Sequence, residues 1–438
     1  MSELSRRELL LATGSSAIVA TGGCLAPSRD DVESYRSVNA VEEWPMFLYD
    51  RMNRRCFAGD DISPDDTPTW ITETDDDVWS SPVVADGILY IGSYDGHLYA
   101  IESDSGDVLW QYETGDRIDG TPAVSNGTVY VGSFDRNLYA LDAKTGAERW
   151  IYGMDGIVRG SPTVADGVVY VGSHCRSEEC SAYYDVEWPE IGYVYAFDAE
   201  EGDVRWRYSV GDGILGKPAV AADRVVIGSS DGNAYGLRAD SGALEWTLET
   251  SGPVMASPTC DGDRVYIGNL RGELYALELE DGEQVWRYTI EDQAGDGTVA
   301  PSLITSSPTL CGDTVYVGTV ATDAVEGADG VLYAISADEG RKRWDAGPFA
   351  EMIGSSPTMV DGVVYFGAHT LAPSDDYQPG LYGVNESGLT EWAFEVDGEV
   401  HRGFGSSPAV ADGRLYIGGA AGEVFAFELA SDRPENGN

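Results

Sequence analysis

The sequence predicts an all-β protein. The expected fold is a closed ring of eight four-stranded antiparallel sheets, an eight-bladed β-propeller closed by an N-terminal strand. Three observations predict it. A proline preceded by a small residue or a lysine recurs at Pro82, Pro122, Pro162, Pro218, Pro258, Pro308, Pro357 and Pro408. A tryptophan follows at a fixed distance, 28 residues from Pro82 to Trp110, Pro122 to Trp150, Pro218 to Trp246 and Pro258 to Trp286. The eighth unit ends before its tryptophan, whereas Trp70 stands 12 residues ahead of Pro82, the gap that also separates Trp110 from Pro122 and Trp246 from Pro258. An open stack of repeats has no use for that displaced tryptophan, but a closed ring does.

Residues 121–152 give the pattern of one blade. Thr121 to Val124 is a short apolar strand A, and Asn126-Gly127 is a two-residue hairpin turn because both positions tolerate positive φ. Thr128 to Gly132 is strand B, Asn137 to Asp142 strand C, and Glu148 to Tyr152 strand D, with turns at Ser133 to Arg136 and at Thr145-Gly146. The proline is tolerated because strand A begins there and turns its free edge to a central channel. Trp70, Trp110, Trp150, Trp206, Trp246, Trp286, Trp344 and Trp392 are expected to dock between neighbouring blades. The chain divides into a signal segment (1–23), a tether with a Trp-Pro segment (24–63), the propeller (64–430) and a polar tail (431–438).

A meander places the B–C turns and the D-to-A links on one face of the ring. The insertions at Gly172 to Gly192, Ala321 to Asp329 and His369 to Gly380, and the long links before Pro308 and Pro408, all belong to that face. Function collects on loops held by a rigid scaffold, so this face is the expected binding surface. Basic residues are the rarer signal on it. Arg117, Arg159, Lys217, His401 and Arg402 fall shortly before a blade proline, near the channel mouth, and His174 and His369 lie in or beside long loops. The patch suits an anionic ligand or partner, or it balances Asp119 and Asp155 internally. The histidines come from different blades and show no metal-ligand spacing, and no loop has the alternating oxygen ligands of an EF-hand. No metal site is therefore assigned.

Arg6 and Arg7 precede a short apolar stretch, Leu9 to Ala20, and then Thr21-Gly22-Gly23-Cys24. The stretch is too short to span a bilayer stably. Paired arginines followed by a lipobox-like end read as a twin-arginine export signal with Cys24 as the lipidated residue. The expectation is an exported protein held by lipid alone on the outer face of the cytoplasmic membrane. Net charge is −48, with 75 acidic residues, and Lys144, Lys217 and Lys342 are the only lysines among 27 basic residues. This composition is similar to that of proteins working in saturated salt. At low salt such charge repels itself, and it disfavours a nucleic-acid partner. Cys175 and Cys180 are close enough in sequence for a disulfide in the blade-three insertion. Cys260 takes a strand-A position and reads as packing, while Cys56 and Cys311 are left without an assigned pairing.

Ser161 to Ser173 and Leu138 to Gly146 resemble pyrroloquinoline-quinone (PQQ) repeats, and the resemblance covers about residues 64–429. Trp44-Pro45-Met46-Phe47, with Asp50 and Asn53, is similar to the segment that precedes such propellers. The resemblance implies an eight-bladed propeller and two functional branches. One is the BamB-like lipoprotein scaffold, with envelope or membrane-anchored proteins as partners. The other is the quinone-dependent alcohol dehydrogenase, which would bring PQQ and Ca²⁺. The dehydrogenases carry two adjacent cysteines, and this chain has no Cys-Cys pair. No catalytic residue and no cofactor is carried over, and a monomeric scaffold is the expected function.

Overall fold

The computed structural model describes residues 45–53, 56–57, 63–174, 191–293, 299–320, 330–350, 352–370, 378–396 and 402–430. Its backbone forms eight four-stranded antiparallel sheets arranged as an eight-bladed propeller. Blade two shows the pattern, with strand A at Ala123–Ser125, B at Thr128–Gly132, C at Asn137–Asp142 and D at Glu148–Gly153. Asn126 and Gly127 both take positive φ, 49° and 69°, as the hairpin turn requires. Strand B is buried along its whole length, and strand D alternates exposed and half-buried positions. The inner strands are sandwiched between two neighbouring blades and need apolar residues on both faces. The outer strand meets water.

The ring closes as expected. Blade eight takes A, B and C from Ala409–Ala411, Arg414–Gly418 and Glu423–Ala430, and its D strand is Trp70–Glu73 from the start of the chain. Ile71 pairs with Phe425 and Trp70 with Ala426 in antiparallel register. The short strand Ser63–Pro64 pairs with Leu429 and Ala430 on the same strand C.

Two sets of contacts join blade to blade. At the rim, each tryptophan indole crosses to the C–D turn of the next blade. The Nε1 groups of Trp70, Trp110, Trp150, Trp206, Trp246 and Trp286 donate to the carbonyls of Ser103, Ala143, Ala199, Ala239, Leu279 and Ala337, at 2.8–3.2 Å. The ring lies against the turn glycine. A Cβ on Gly146, already at φ 69°, would stand 2.8 Å from Trp110. Trp70 does this for blade eight, resting on Gly106 of blade one. Trp392 is the exception. Strand C of blade eight runs on toward the C-terminus, so no C–D turn exists there to receive Trp392, and its buried indole N–H has no hydrogen-bond partner. Instead it packs edge-on against Phe427, with ring centroids 5.7 Å apart.

At the hub, the residue before each blade proline makes a second ring. The backbone N–H of Ser81 donates to Thr121 Oγ1, Thr121 to Ser161, Lys217 to Ser257, Ser257 to Ser307, Ser307 to Ser356, Ser356 to Ser407, and Ser407 back to Ser81, all at 2.8–3.1 Å. The link from Ser161 is missing because Lys217 has no hydroxyl. There Thr163 Oγ1 donates to the Pro218 carbonyl of the next blade at 2.5 Å.

These contacts predict unequal responses at equivalent positions. Trp246→Phe should lose a buried hydrogen bond and cost about 1 kcal/mol, whereas Trp392→Phe should cost less because its N–H bonds nothing. Trp246→Ala should cost about 3–5 kcal/mol. Denaturant unfolding at constant high salt measures all three.

Candidate functional site

The strands flanking each insertion fix its face. The 174–192 and 368–380 connections and the one after Gly318 all join strand B to strand C, so each begins and ends on the side of the D-to-A links. Residues 175–190, 321–329 and 371–377 of the insertions, with Cys175 and Cys180, lie outside the described residues, as do His401, Arg6, Arg7 and Cys24.

The opposite end of the channel holds a segment that sequence reasoning read as part of the tether. Residues 45–53 and 56–57 make backbone contacts with several blades. The Val124, Val220 and Cys260 amides donate to the carbonyls of Pro45, Arg51 and Met52, at 2.6, 2.6 and 2.9 Å. Cys56–Phe57 adds a parallel strand to the inner edge of blade seven, opposite Met359 and Val360. Cys56 forms a disulfide with Cys311 of blade six, 255 residues away. Arg51 pairs with Asp166 in the A–B turn of blade three. These contacts are with the ends of the A strands near the A–B turns, away from the insertions.

Lys217 belongs to this strap. It precedes Pro218 on the insertion side, but its side chain is 1% exposed and runs inward. Its ammonium donates to the carbonyls of Phe47 and Asp50 at 2.5 and 2.9 Å. The expectation that it faces a ligand at the mouth is corrected. A buried ammonium needs compensating oxygens, and the strap provides them. Cys260 is buried among Ala219, Val254 and Ile267, as packing.

On the insertion side, the position three before each proline holds Trp79, Asp119, Arg159, Leu215, Met255, Thr305, Gly354 and Gly405. They do not repeat in type. Around blades one to three the predicted cations meet partners. Arg159 Nε bonds Asp119 at 2.5 Å, and the Tyr94 hydroxyl donates to the same carboxylate at 3.1 Å. Burial and the Asp119 charge push the Tyr94 phenol upward. Arg117 stacks over the rings of Phe134 and Tyr94, at 4.1 and 5.0 Å. Arg402 pairs with Asp77, which also accepts from Trp79 Nε1 at 3.3 Å. Of the two balancing carboxylates expected, Asp119 pairs with Arg159, whereas Asp155 pairs with Arg207. Partly exposed pairs of this kind are worth under about 1 kcal/mol each, but they leave little net positive charge.

The structure separates His174 from His369. His174 bridges Ile157 and lies on Gly213 in blade three. His369 is 3% exposed, bridges Met352 and Gly403, and meets the Trp79 ring edge-on at 5.0 Å. Burial, then the nearby Arg402 charge, lowers its pKa to about 4. Among the described residues no three His, Cys, Asp or Glu side chains stand close enough to hold a metal ion. The mouth carboxylates Asp77 and Asp119 are engaged by Arg402 and Arg159. The carboxylates of Asp77 and Asp119 are thus committed to ion pairs, and the acidic residues of the insertions lie outside the described residues.

Comparison with known proteins places this geometry. The family described as outer membrane protein assembly factor BamB matches residues 63–119, 115–183, 190–326 and 305–433. Among solved structures, BamB from Moraxella catarrhalis is similar at TM-score 0.63 and 20% identity, over 83% of this chain and 99% of that one. The quinohemoprotein alcohol dehydrogenase from Comamonas testosteroni is similar at TM-score 0.71 and 17% identity, over 94% and 84%. A europium-containing methanol dehydrogenase is similar at TM-score 0.67 and 15% identity, over 89% and 98%. At these identities the structural likeness establishes the fold. No curated protein matches the chain in sequence.

Two variants test the site's architecture. Lys217→Met should leave the Phe47 and Asp50 carbonyls without their donor, cost about 1.5–3 kcal/mol and expose the strap to limited proteolysis. His369 is held neutral below its ordinary pKa, so its contribution is complete above about pH 6.5 and is lost as pH falls toward 4. His369→Gln should flatten the stability profile in that window, read by denaturant unfolding at fixed salt.

Proposed function

The chain belongs to the family of the outer membrane protein assembly factor BamB, and on that premise we propose that it is a non-catalytic binding scaffold. It is exported, held at the outer face of the cytoplasmic membrane by a lipid on Cys24, and engages envelope or membrane-anchored proteins through the insertion face. The observation that carries this reading is the division of labour between the two ends of the channel. The strap occupies one end, with Lys217 and a disulfide fastening it. At the other end Arg159 and Arg402 are paired with Asp119 and Asp77, so these groups present neutralised charge. What remains variable is the set of loops on that face, which suits recognition of a protein surface.

The experiment is crosslinking in intact membranes. Cys24→Ser should release the protein into the soluble fraction. Deleting 321–329 and 371–377 together should abolish crosslinked partners while leaving thermal unfolding unchanged. Retention of the Cys24→Ser protein in membranes would overturn the anchor. Undiminished crosslinking after the double deletion would overturn the face. Saturable quinone uptake with Ca²⁺, accompanied by alcohol-dependent dye reduction, would replace the scaffold reading with the oxidoreductase one.

A further inference from the structure

We propose that Arg117, with Trp79, Tyr94 and Phe134 stacked beside it, forms a docking site on the insertion side for a peptide segment of a partner protein that carries one carboxylate next to an apolar side chain. This rests on the scaffold reading and names the chemistry that the partner must offer.

Arg117 stands five residues before Pro122, on the link that leads into blade two. Of the residues at this position in the eight blades, Arg117 is the one cation. Its carbonyl accepts from the Phe134 amide at 3.0 Å and from Ser133 Oγ at 3.3 Å, so the B–C turn of blade two fixes its main chain. Its guanidinium lies over the Phe134 and Tyr94 rings, and the Tyr94 and Trp79 ring centroids are 6.4 Å apart. The four groups form a row across blades one and two. The turn residues equivalent to Tyr94 and Phe134 in blades four, five and eight are Ser230, Leu270 and Ala420, so the aromatic pair is confined to this sector. Arg117 is exposed and the three rings are half-buried, so part of each remains at the surface. Among the described residues the guanidinium has no ion-pair partner. Asp116 accepts from the Arg117 backbone N–H, and Asp119 is engaged by Arg159 and Tyr94.

In a chain with 75 acidic residues, an exposed arginine that meets rings instead of a carboxylate is a departure with a use. Stacking holds the guanidinium plane and leaves its N–H groups at the edge, a fork that matches a carboxylate in bidentate geometry. One guanidinium balances the single charge of a carboxylate. A phosphomonoester brings about −1.5 to −2 charges and would also meet exposed Asp116. The rings add apolar surface, and tryptophan, tyrosine and arginine are the residue types that anchor protein interfaces, which places an apolar side chain beside the carboxylate. Asp77 and Asp119 do not repel the segment, because Arg402 and Arg159 already neutralise them. The net charge of −48 acts over distance and is screened beyond about 3 Å at 1 M salt, whereas a hydrogen-bonded contact survives.

The test is calorimetric titration of the purified full chain at high salt with the capped peptide acetyl-Gly-Pro-Leu-Glu-Pro-Gly-amide and its counterpart with Gln in place of Glu. Saturable binding of the Glu peptide is expected, with the Gln peptide about tenfold weaker. Arg117→Gln should bring the two peptides level while leaving denaturant unfolding unchanged, and Arg117→Lys should not restore the difference, because an ammonium lacks the fork. Three results would overturn the proposal: no saturable binding of the Glu peptide, equal affinity for both peptides, or a difference that persists in Arg117→Gln. The comparison of peptides on the unaltered chain stays decisive if a variant does not fold. Cosedimentation with phosphatidylglycerol vesicles that Arg117→Gln abolishes, without peptide binding, would assign the site to a membrane surface and overturn it as well. Failure of the titration leaves the crosslinking result standing, whereas peptide binding without crosslinked partners keeps this site and removes the membrane-anchored partner.

Discussion

The inner ring of hydrogen bonds is the constraint from which the rest of the structure follows. Strands that radiate from a hub crowd there, so the residue before each proline must be small, and it must still satisfy an amide. A serine or threonine does both, because its hydroxyl accepts from the blade before it while its own N–H donates to the blade after it. Proline can follow because its missing N–H removes a donor that would face the channel. Tryptophan does the complementary work at the rim, where the wedge widens and a large ring is needed to fill it. A wedge with a hydroxyl at its tip and an indole at its base repeats only by closing on itself.

Exceptions to the repeat mark the places where the molecule does something else. Lys217 breaks the hydroxyl ring and fastens the strap. Trp392 lacks its receiving turn because the last blade is assembled from both ends of the chain. Gly354 and Gly405 stand where other blades place larger side chains, and His369 and Trp79 lean over them. Lys217, Gly354 and Gly405 are visible as departures in type at a repeating position, whereas Trp392 keeps its type and lacks only the turn that would receive it.

The fold was legible because periodicity encodes it. The spacing of proline and tryptophan identified the blades, and the displaced Trp70 identified the seam, where Ile71 pairs with Phe425. The strap was not legible. It binds through main-chain carbonyls at Pro45, Arg51 and Met52, which any sequence possesses, and its disulfide joins cysteines that no local pattern relates. The site was legible in part. Position relative to the prolines put Arg117, Arg159 and Arg402 at the mouth, but their partners required the ring, since Asp77 and Arg402 come from opposite ends of the chain. Charge alone also drew Lys217 into the set, because sequence does not reveal which way a long side chain points.

The seam also sets a timetable for biogenesis. Trp70–Glu73 is among the first parts of the propeller to be synthesised, yet its partner Glu423–Ala430 is among the last. Until the ribosome has released nearly the whole polypeptide, the final sheet cannot be completed, and an incomplete translation product has no way to become circular. Circularisation thus distinguishes a polypeptide that reaches Glu423–Ala430 from one that stops short of it.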